Sequence, residues 1–339
     1  MKTKKNIKSF VWFLAFLPVI FGLVSLCIGR LSVTPSELIS SIGAHVFGVG
    51  QPGSQFAESA LWNIRLPRII LAALCGAGLS AAGLTFQSLF SNPLATPDTL
   101  GVASGSSFGA ALGILLGFDL VGIQLSSLLF GFAAVGLTVL CGYGNKRGSQ
   151  MNTTVLSGIM IGSLFSSLVS LVKFTADTDS VLPSITYWLM GNLDSANYRS
   201  LVLGSPAIIV GTALLLMIRW RLNILPLGEE EARSTGVNIR VLRIVSIVSA
   251  TMVTASVISM CGQVGWVGLI VPHICRMWLG NDHRYTLPAS VFVGAAFMIA
   301  VDTAARSLSA SEFPVSILTA IVGAPFFIVL MRRKGGWSL

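Results

Sequence analysis

The feature that most restricts what this chain can fold into is a succession of apolar runs, each about as long as a bilayer core is thick. Crossing that core takes about 20 helical residues. Backbone immersed in lipid must close its own hydrogen bonds, which a helix does within one segment. Such runs lie near Phe10–Gly29, Ile69–Phe90, Thr99–Phe118, Leu120–Tyr143, Val155–Val172, Leu201–Ile218, Ile244–Met260, Val264–Leu279, Leu287–Leu308 and Val315–Met331. They predict an all-α polytopic membrane protein of about ten spans, with residues 1–339 as one transmembrane domain. Only 10% of residues are charged, against about 25% in soluble domains, and the mean hydropathy is +0.81. The basic start, Lys2 to Lys8, followed by Phe10–Ile28 imitates a signal peptide. The run is long enough to span, however, and no small-x-small site follows, so it reads as the first helix.

Charge sets the orientation. Of 22 Lys and Arg, only Arg30, Arg65, Arg68, Lys173, Arg199 and Arg306 fall on one side, and the other sixteen fall on the opposite side. The positive-inside rule makes the richer side cytoplasmic and places both termini there. The net charge of +9 is thus a topology signal, with no basic face for nucleic acid. Two outer segments exceed simple turns. Leu31–Asn63 carries the helix-start pattern Pro35-Ser36-Glu37, and Ala176–Arg199 contains an expected interfacial helix over Pro183–Met190. The eighth span is interrupted by Gly265, Gly268, Pro272, His273 and Arg276.

The longest polar stretch, residues 219–243, lies on the cytoplasmic side. Pro226-Leu227-Gly228 leads into Glu229, Glu230, Glu231, Ala232 and Arg233, and Gly236 follows. Acids first, a base later and a terminal glycine describe one short helix in the order that the helix dipole favours. A second turn is expected over Val237–Arg240. The segment reads either as a solvated loop or as a handle that a separate protein grips to move the helices on each side.

Ionisable residues at membrane depth are expensive to keep there. Asp302 and Arg306 are four apart and can pair on one helix face as an intramembrane ion pair. Arg65 and Arg68 flank Leu66-Pro67 at the outer edge. They suit either interfacial anchoring or bidentate pairing with carboxylates of a docking protein. Cys27, Cys75, Cys141, Cys261 and Cys275 show no metal or redox spacing and read as packing residues. His273 reads as a capping or hinge group. No metal site, zinc motif or catalytic constellation stands out, and no phosphate-binding loop is present, so an ATP-driven pump would need its engine on another polypeptide. An ion-coupled secondary transporter stays open on Asp302 alone.

Several blocks carry a family resemblance along nearly the whole chain: Arg65-Leu66-Pro67-Arg68; Gln87 with Asn92-Pro93-Leu94-Ala95-Thr96-Pro97; Leu100-Gly101-Val102; Leu227-Gly228-Glu229 with Ala232 and Gly236; Gly265-Trp266-Val267-Gly268-Leu269 with Pro272-His273; Asp282-His283-Arg284; and Leu318-Thr319-Ala320 with Gly323, Pro325 and Phe327. The chain resembles the permease subunits of type II ABC importers for iron–siderophores, haem and vitamin B12. Trp266 stands where Phe is usual, Ser316 where Gly is usual, and Thr235 where Leu is common.

The resemblance implies the type II ABC importer permease fold in a bacterial cytoplasmic membrane. It implies two such permeases, identical or related, around one path, and two cytoplasmic ABC ATPases that hold ATP and Mg and grip the segment from Gly228 to Gly236. This chain would bind no cofactor itself. An extracytoplasmic binding protein would dock through Arg65, Arg68 and Arg306. The cytoplasmic gate would lie around Asn145–Thr154, with Asn152 and Thr153 as candidates. The implied cargo is an iron–siderophore-type chelate, with haem and cobalamin as alternatives. A bulky chelate would need a path without charges on its wall.

Overall fold

The computed structural model describes residues 4–29, 33–48, 54–142, 150–227, 229–308 and 312–332. Among these the chain is helical throughout, with no strand: α1 (Lys4–Leu14), α2 (Phe16–Cys27), α3 (Pro35–Phe47), α4 (Gln55–Ser59), α5 (Leu66–Leu89), α6 (Val102–Leu115), α7 (Leu120–Gly142), α8 (Gln150–Thr175), α9 (Val181–Leu189), α10 (Tyr198–Ile218), α11 (Glu229–Ser234), α12 (Ile239–Cys261), α13 (Val267–Leu279), α14 (His283–Ser307) and α15 (Val315–Arg332). Each expected span has a helix, the first being α1 and α2 joined at Ala15. Seven helical stretches are long and apolar enough to cross a membrane, and Val102–Leu115, Val267–Leu279 and Val315–Leu330 are shorter apolar helices.

The bundle is built around α5. Its face is rich in small residues, and α10, α12, α13 and α14 all pack on it. Lipid supplies no hydrophobic drive between helices, so their association rests on close van der Waals packing, which small residues permit. The closeness is measurable at two glycines. A Cβ on Gly83 would lie 1.9 Å from the Gly268 carbonyl oxygen, and one on Gly76 would lie 2.1 Å from that of Gly294. Two hydroxyls in this core bond back along their own helices: Thr85 donates to the Ala81 carbonyl at 2.8 Å, and Thr254 to that of Ala250 at 2.8 Å. A second layer packs against α12 through α6 and α7, with α8 lying on those two helices.

The helix-start reading at Pro35 holds. Thr34 caps α3 in a reciprocal capping box with Glu37. The second span begins earlier than Ile69, because α4 runs through a π turn, Ala60–Arg65, straight into α5 and makes one 35-residue helix from Gln55 to Leu89. Pro67 follows the π turn directly and lies inside this continuous helix, where it contributes no backbone N–H to the ladder. The turn expected over Val237–Arg240 is instead the start of α12, which Asn238 caps by accepting from the Val241 N–H at 3.1 Å. The third and eighth spans are cut short. α6 begins only after a 3₁₀ turn, Pro97–Leu100, and a left-handed Gly101, and α13 begins only after an irregular stretch, 262–266.

Candidate functional site

Three places combine polar chemistry with unusual backbone. The first is the cytoplasmic segment. Glu229–Ser234 forms α11 as its charge order predicts, and Gly236 follows with φ +73°. Ala232 is buried and anchors the turn, while Leu227 and Glu231 face outward. Gly228 lies outside the described residues, as do the side chains of Glu229, Glu230 and Arg233. A cavity of about 640 Å³ separates the segment from the inner ends of α5, α7 and α8, and Leu89, Val139, Thr154, Arg240 and Arg243 are among its walls. The segment therefore continues directly into α12 but has free space toward α7 and α8.

Asn223, in the 3₁₀ turn ahead of α11, ties this region to the bundle. Its Nδ2 donates to Asp282 Oδ1 at 3.1 Å, and its Oδ1 accepts from the His283 backbone N–H at 2.9 Å. His283 Nδ1 lies 2.6 Å from the same oxygen, which assigns the ring proton to Nδ1 and leaves Nε2 facing the Ser88 hydroxyl at 2.5 Å on α5. A continuous polar link thus runs from the handle to the starts of α14 and the end of α5. The Asp282-His283-Arg284 block carried the sequence signal for this link, whereas Asn223 carried none.

The second place is an outer charge cluster. Asp302 is 1% exposed. It accepts from Arg68 Nε at 2.9 Å, while Arg306 Nε stands 3.8 Å away. The i, i+4 partner expected from spacing is therefore the weaker one. Arg68 Nη1 also meets Glu312 Oε2 at 2.7 Å and Asp194 at 3.5 Å. Arg306 Nη2 donates to Ser25 Oγ at 2.6 Å, and Arg65 donates to the Leu26 carbonyl. Tyr187 donates to Asp194. That bond favours the neutral phenol and pushes its pKa to about 12. Burial, and then the hydrogen bond to Asp194, raises Glu312 above the usual carboxylate range.

The three arginines expected to dock a binding protein all belong to this cluster. Arg65, Arg68 and Arg306 are 5%, 7% and 6% exposed and turn inward onto α2, α14 and the segments around Asp194 and Glu312. A partner's carboxylate would reach Arg68 only by displacing Glu312 or Asp194. Of the gate candidates, Thr153 is half-buried near the inner start of α8, whereas the side chain of Asn152 and residues 143–149 lie outside the described residues.

The third place lies at membrane depth. Leu79, 13 residues into α5, is about 20 Å from the outer start of that helix at 1.5 Å per residue. Beside it the backbone breaks twice, at 97–101 and 262–266, and these breaks face a cavity of about 440 Å³. Irregular backbone at this depth is tolerated only where protein buries it or a wet cavity adjoins it. Trp266 adopts φ +69°, a left-handed conformation that is rare outside glycine, and its ring lies 6.1 Å from that of Phe327 and flat against Gly323. His273 packs its ring 5.9 Å from Phe327, so it is a packing group rather than the expected cap or hinge. Gln87 holds the start of α13 by donating to the Gly268 carbonyl at 3.1 Å. The cavity wall carries Thr96, Gln263, Ser316 and, against the expectation of an uncharged wall, the exposed carboxylate of Asp98. The cysteines are free thiols, although Cys75 and Cys261 bring their sulfurs to 3.5 Å across α5 and α12.

Comparison with known proteins agrees with this architecture. The model of the FecCD transport family matches residues 17–333. The molybdate import system permease protein of Haemophilus influenzae is 40% identical over 328 residues, covering 96% of each chain. The cobalamin import system permease protein of Halobacterium salinarum is 37% identical over 302 residues, covering 88% of this chain and 79% of the relative. Among solved structures, a transporter described as of metal-chelate ABC type, in an inward-facing conformation, superposes with a TM-score of 0.86. It is 38% identical and covers 96% of this chain and 99% of its own.

Proposed function

Because the chain belongs to the FecCD transport family, the integral-membrane permease subunits of ABC importers, we propose that it translocates an iron–siderophore-type chelate across the cytoplasmic membrane. ATP hydrolysis in this class resides on separate subunits. The observation that carries the path is the mid-membrane cavity at the two helix breaks, lined by Thr96, Gln263 and Ser316. Beside it, α8 exposes Ser163, Ser166, Ser167 and Ser170 along one face. Hydroxyls three and four residues apart at membrane depth suit the wall of a wet passage, and Ser163, Ser167 and Ser170 each bond back to the carbonyl one turn earlier.

In this reading two cytoplasmic ATPases grip the stretch from Leu227 to Gly236, a second permease completes the path, and an extracytoplasmic binding protein delivers the cargo. Closure of the ATPases moves α11. The cavity of about 640 Å³ behind it gives room for that movement, and the Asn223–His283–Ser88 link passes it to α14 and α5. ATP can shift the permease between states only by the difference in its partners' affinity for them. Haem and cobalamin are alternative cargoes. Molybdate is a second reading because the Haemophilus influenzae relative is 40% identical and carries that name.

The test is uptake into proteoliposomes holding the permease with its co-expressed ATPase and binding protein. Radiolabelled ferric siderophore, haem, cobalamin and molybdate are offered in turn. Chelate uptake that needs both ATP and the binding protein is the expected result. Uptake by the chain alone on an ion gradient would overturn the reading.

A further inference from the structure

We infer that Asp98 is a charge filter in the translocation path, selecting against small oxyanions. This rests on the reading of the mid-membrane cavity as part of that path. Two half-helices, α6 and α13, begin at this cavity. Each helix N-terminus presents unsatisfied N–H groups and about half a positive charge. Two such ends converging at membrane depth form a place where an anion would be held. Asp98 stands at the start of α6 with its carboxylate 3.5 Å from the Ser104 hydroxyl, and Ser104 is 3.4 Å from Ser166 on α8. A negative charge thus stands at the start of α6, on the wall of the cavity that both helix starts adjoin.

No cationic side chain lines the cavity among the described residues, so the carboxylate remains the dominant formal charge on its wall. In a low-dielectric surround such a charge repels molybdate or phosphate and leaves neutral or cationic chelates unopposed. Charges on cavity walls at membrane depth are rare and mark the passage of a substrate or ion. If Asp98 only compensated the α6 dipole, its removal would lower stability and leave discrimination unchanged.

The test uses the full complex in proteoliposomes. A reporter thiol, Ala103→Cys, is placed on the cavity wall, and the complex without it supplies the background from the native cysteines. Reaction rates with a cationic and an anionic methanethiosulfonate are compared, with Asp98 intact and in Asp98→Asn and Asp98→Ser. Removing the carboxylate is expected to lower the cationic-to-anionic rate ratio on the order of tenfold in both variants, with ATPase activity retained. An unchanged ratio in a variant that keeps the wild-type melting temperature overturns the inference.

A parallel uptake arm separates this from the cargo assignment. Asp98→Asn is expected to raise molybdate uptake relative to ferric-siderophore uptake. A wild-type complex that carries only molybdate refutes both the filter and the chelate assignment, whatever the reagent ratio does on substitution. A wild-type complex that carries chelate, with no shift of either ratio on substitution, refutes the filter alone.

Discussion

Asp302 offers the sharpest test of how the outer half of the bundle is held together. Its carboxylate is 1% exposed and lies 2.9 Å from Arg68 Nε and 3.8 Å from Arg306 Nε. Taking the charge centres about 4 Å apart, with the effective dielectric of about 20 that suits such sites, gives roughly 4 kcal/mol of attraction to Arg68. Breaking a buried pair costs about 3–5 kcal/mol, because the remaining charge stays buried. Arg68 keeps Glu312 at 2.7 Å, which moderates its loss. Arg306 loses its carboxylate and retains Ser25.

Asp302→Asn keeps a neutral acceptor worth about 1 kcal/mol and should destabilise by about 2–3 kcal/mol, whereas Asp302→Ala should cost about 3–5 kcal/mol. The assay is apparent unfolding of the purified complex in lipid nanodiscs, read as midpoint temperature and as inactivation rate, since unfolding of such assemblies is commonly irreversible. Adding Arg306→Leu to Asp302→Ala should cost less than Arg306→Leu alone, because the second guanidinium is then already unpaired. Equal midpoints for the wild type and Asp302→Ala, or strict additivity of the double variant, would refute the idea that this carboxylate neutralises both arginines.

Gly83→Ala should prevent correct assembly or cost more than about 4 kcal/mol, because its methyl would lie 1.9 Å from backbone of α13; wild-type yield and melting on expression would contradict the packing. Charge reversal at Glu229–Glu231 should abolish substrate-stimulated ATPase activity while leaving the permease folded, and normal coupling would remove the handle role. Gly236→Val meets open space at its Cβ but must adopt φ +73°, so it should cost about 1 kcal/mol or more, chiefly as weaker ATPase association measured by co-purification. The phenol of Tyr187, raised to about 12 by Asp194, contributes stability that is complete below pH 10 and lost as pH rises through about 12; absorbance titration of Asp194→Asn should return one tyrosine toward 10, and an unchanged titration would exclude the bond. Arg65→Glu with Arg68→Glu should reduce stability at every ionic strength, whereas a salt-sensitive loss of binding-protein affinity in a stably folded complex would support the docking assignment.

What the sequence disclosed and what it withheld divide along a physical line. Spans follow from composition because lipid imposes one length and one kind of backbone, so each of the ten apolar runs became helix. α11 was legible because charge order and a terminal glycine are local signals. The partner of Asp302 was not, since Arg68 is 234 residues away and a helical face reveals only its own i, i+4 neighbour. The same limit applies to Arg65, Arg68 and Arg306: proximity to the outer edge was readable, but the direction in which each guanidinium points is decided by helices distant in sequence. Gly76 and Gly83 allow the closest helix contacts, but their partners, Gly294 and Gly268, emerge only when α13 and α14 are laid against α5.

Asp98 shows the limit most directly. In the sequence it is one acid in a Pro-containing turn, with nothing local to separate it from a cap. Its role depends on two chain breaks, at 97–101 and 262–266, that meet at one depth. A break in one helix alone reads as a kink, whereas two half-helices beginning at a shared cavity create a field, and a carboxylate set within that field changes what can pass. On this inference the paired irregularities, rather than the regular spans, are where the path discriminates among cargoes, and a single carboxylate between two helix starts is enough to set the sign of that discrimination.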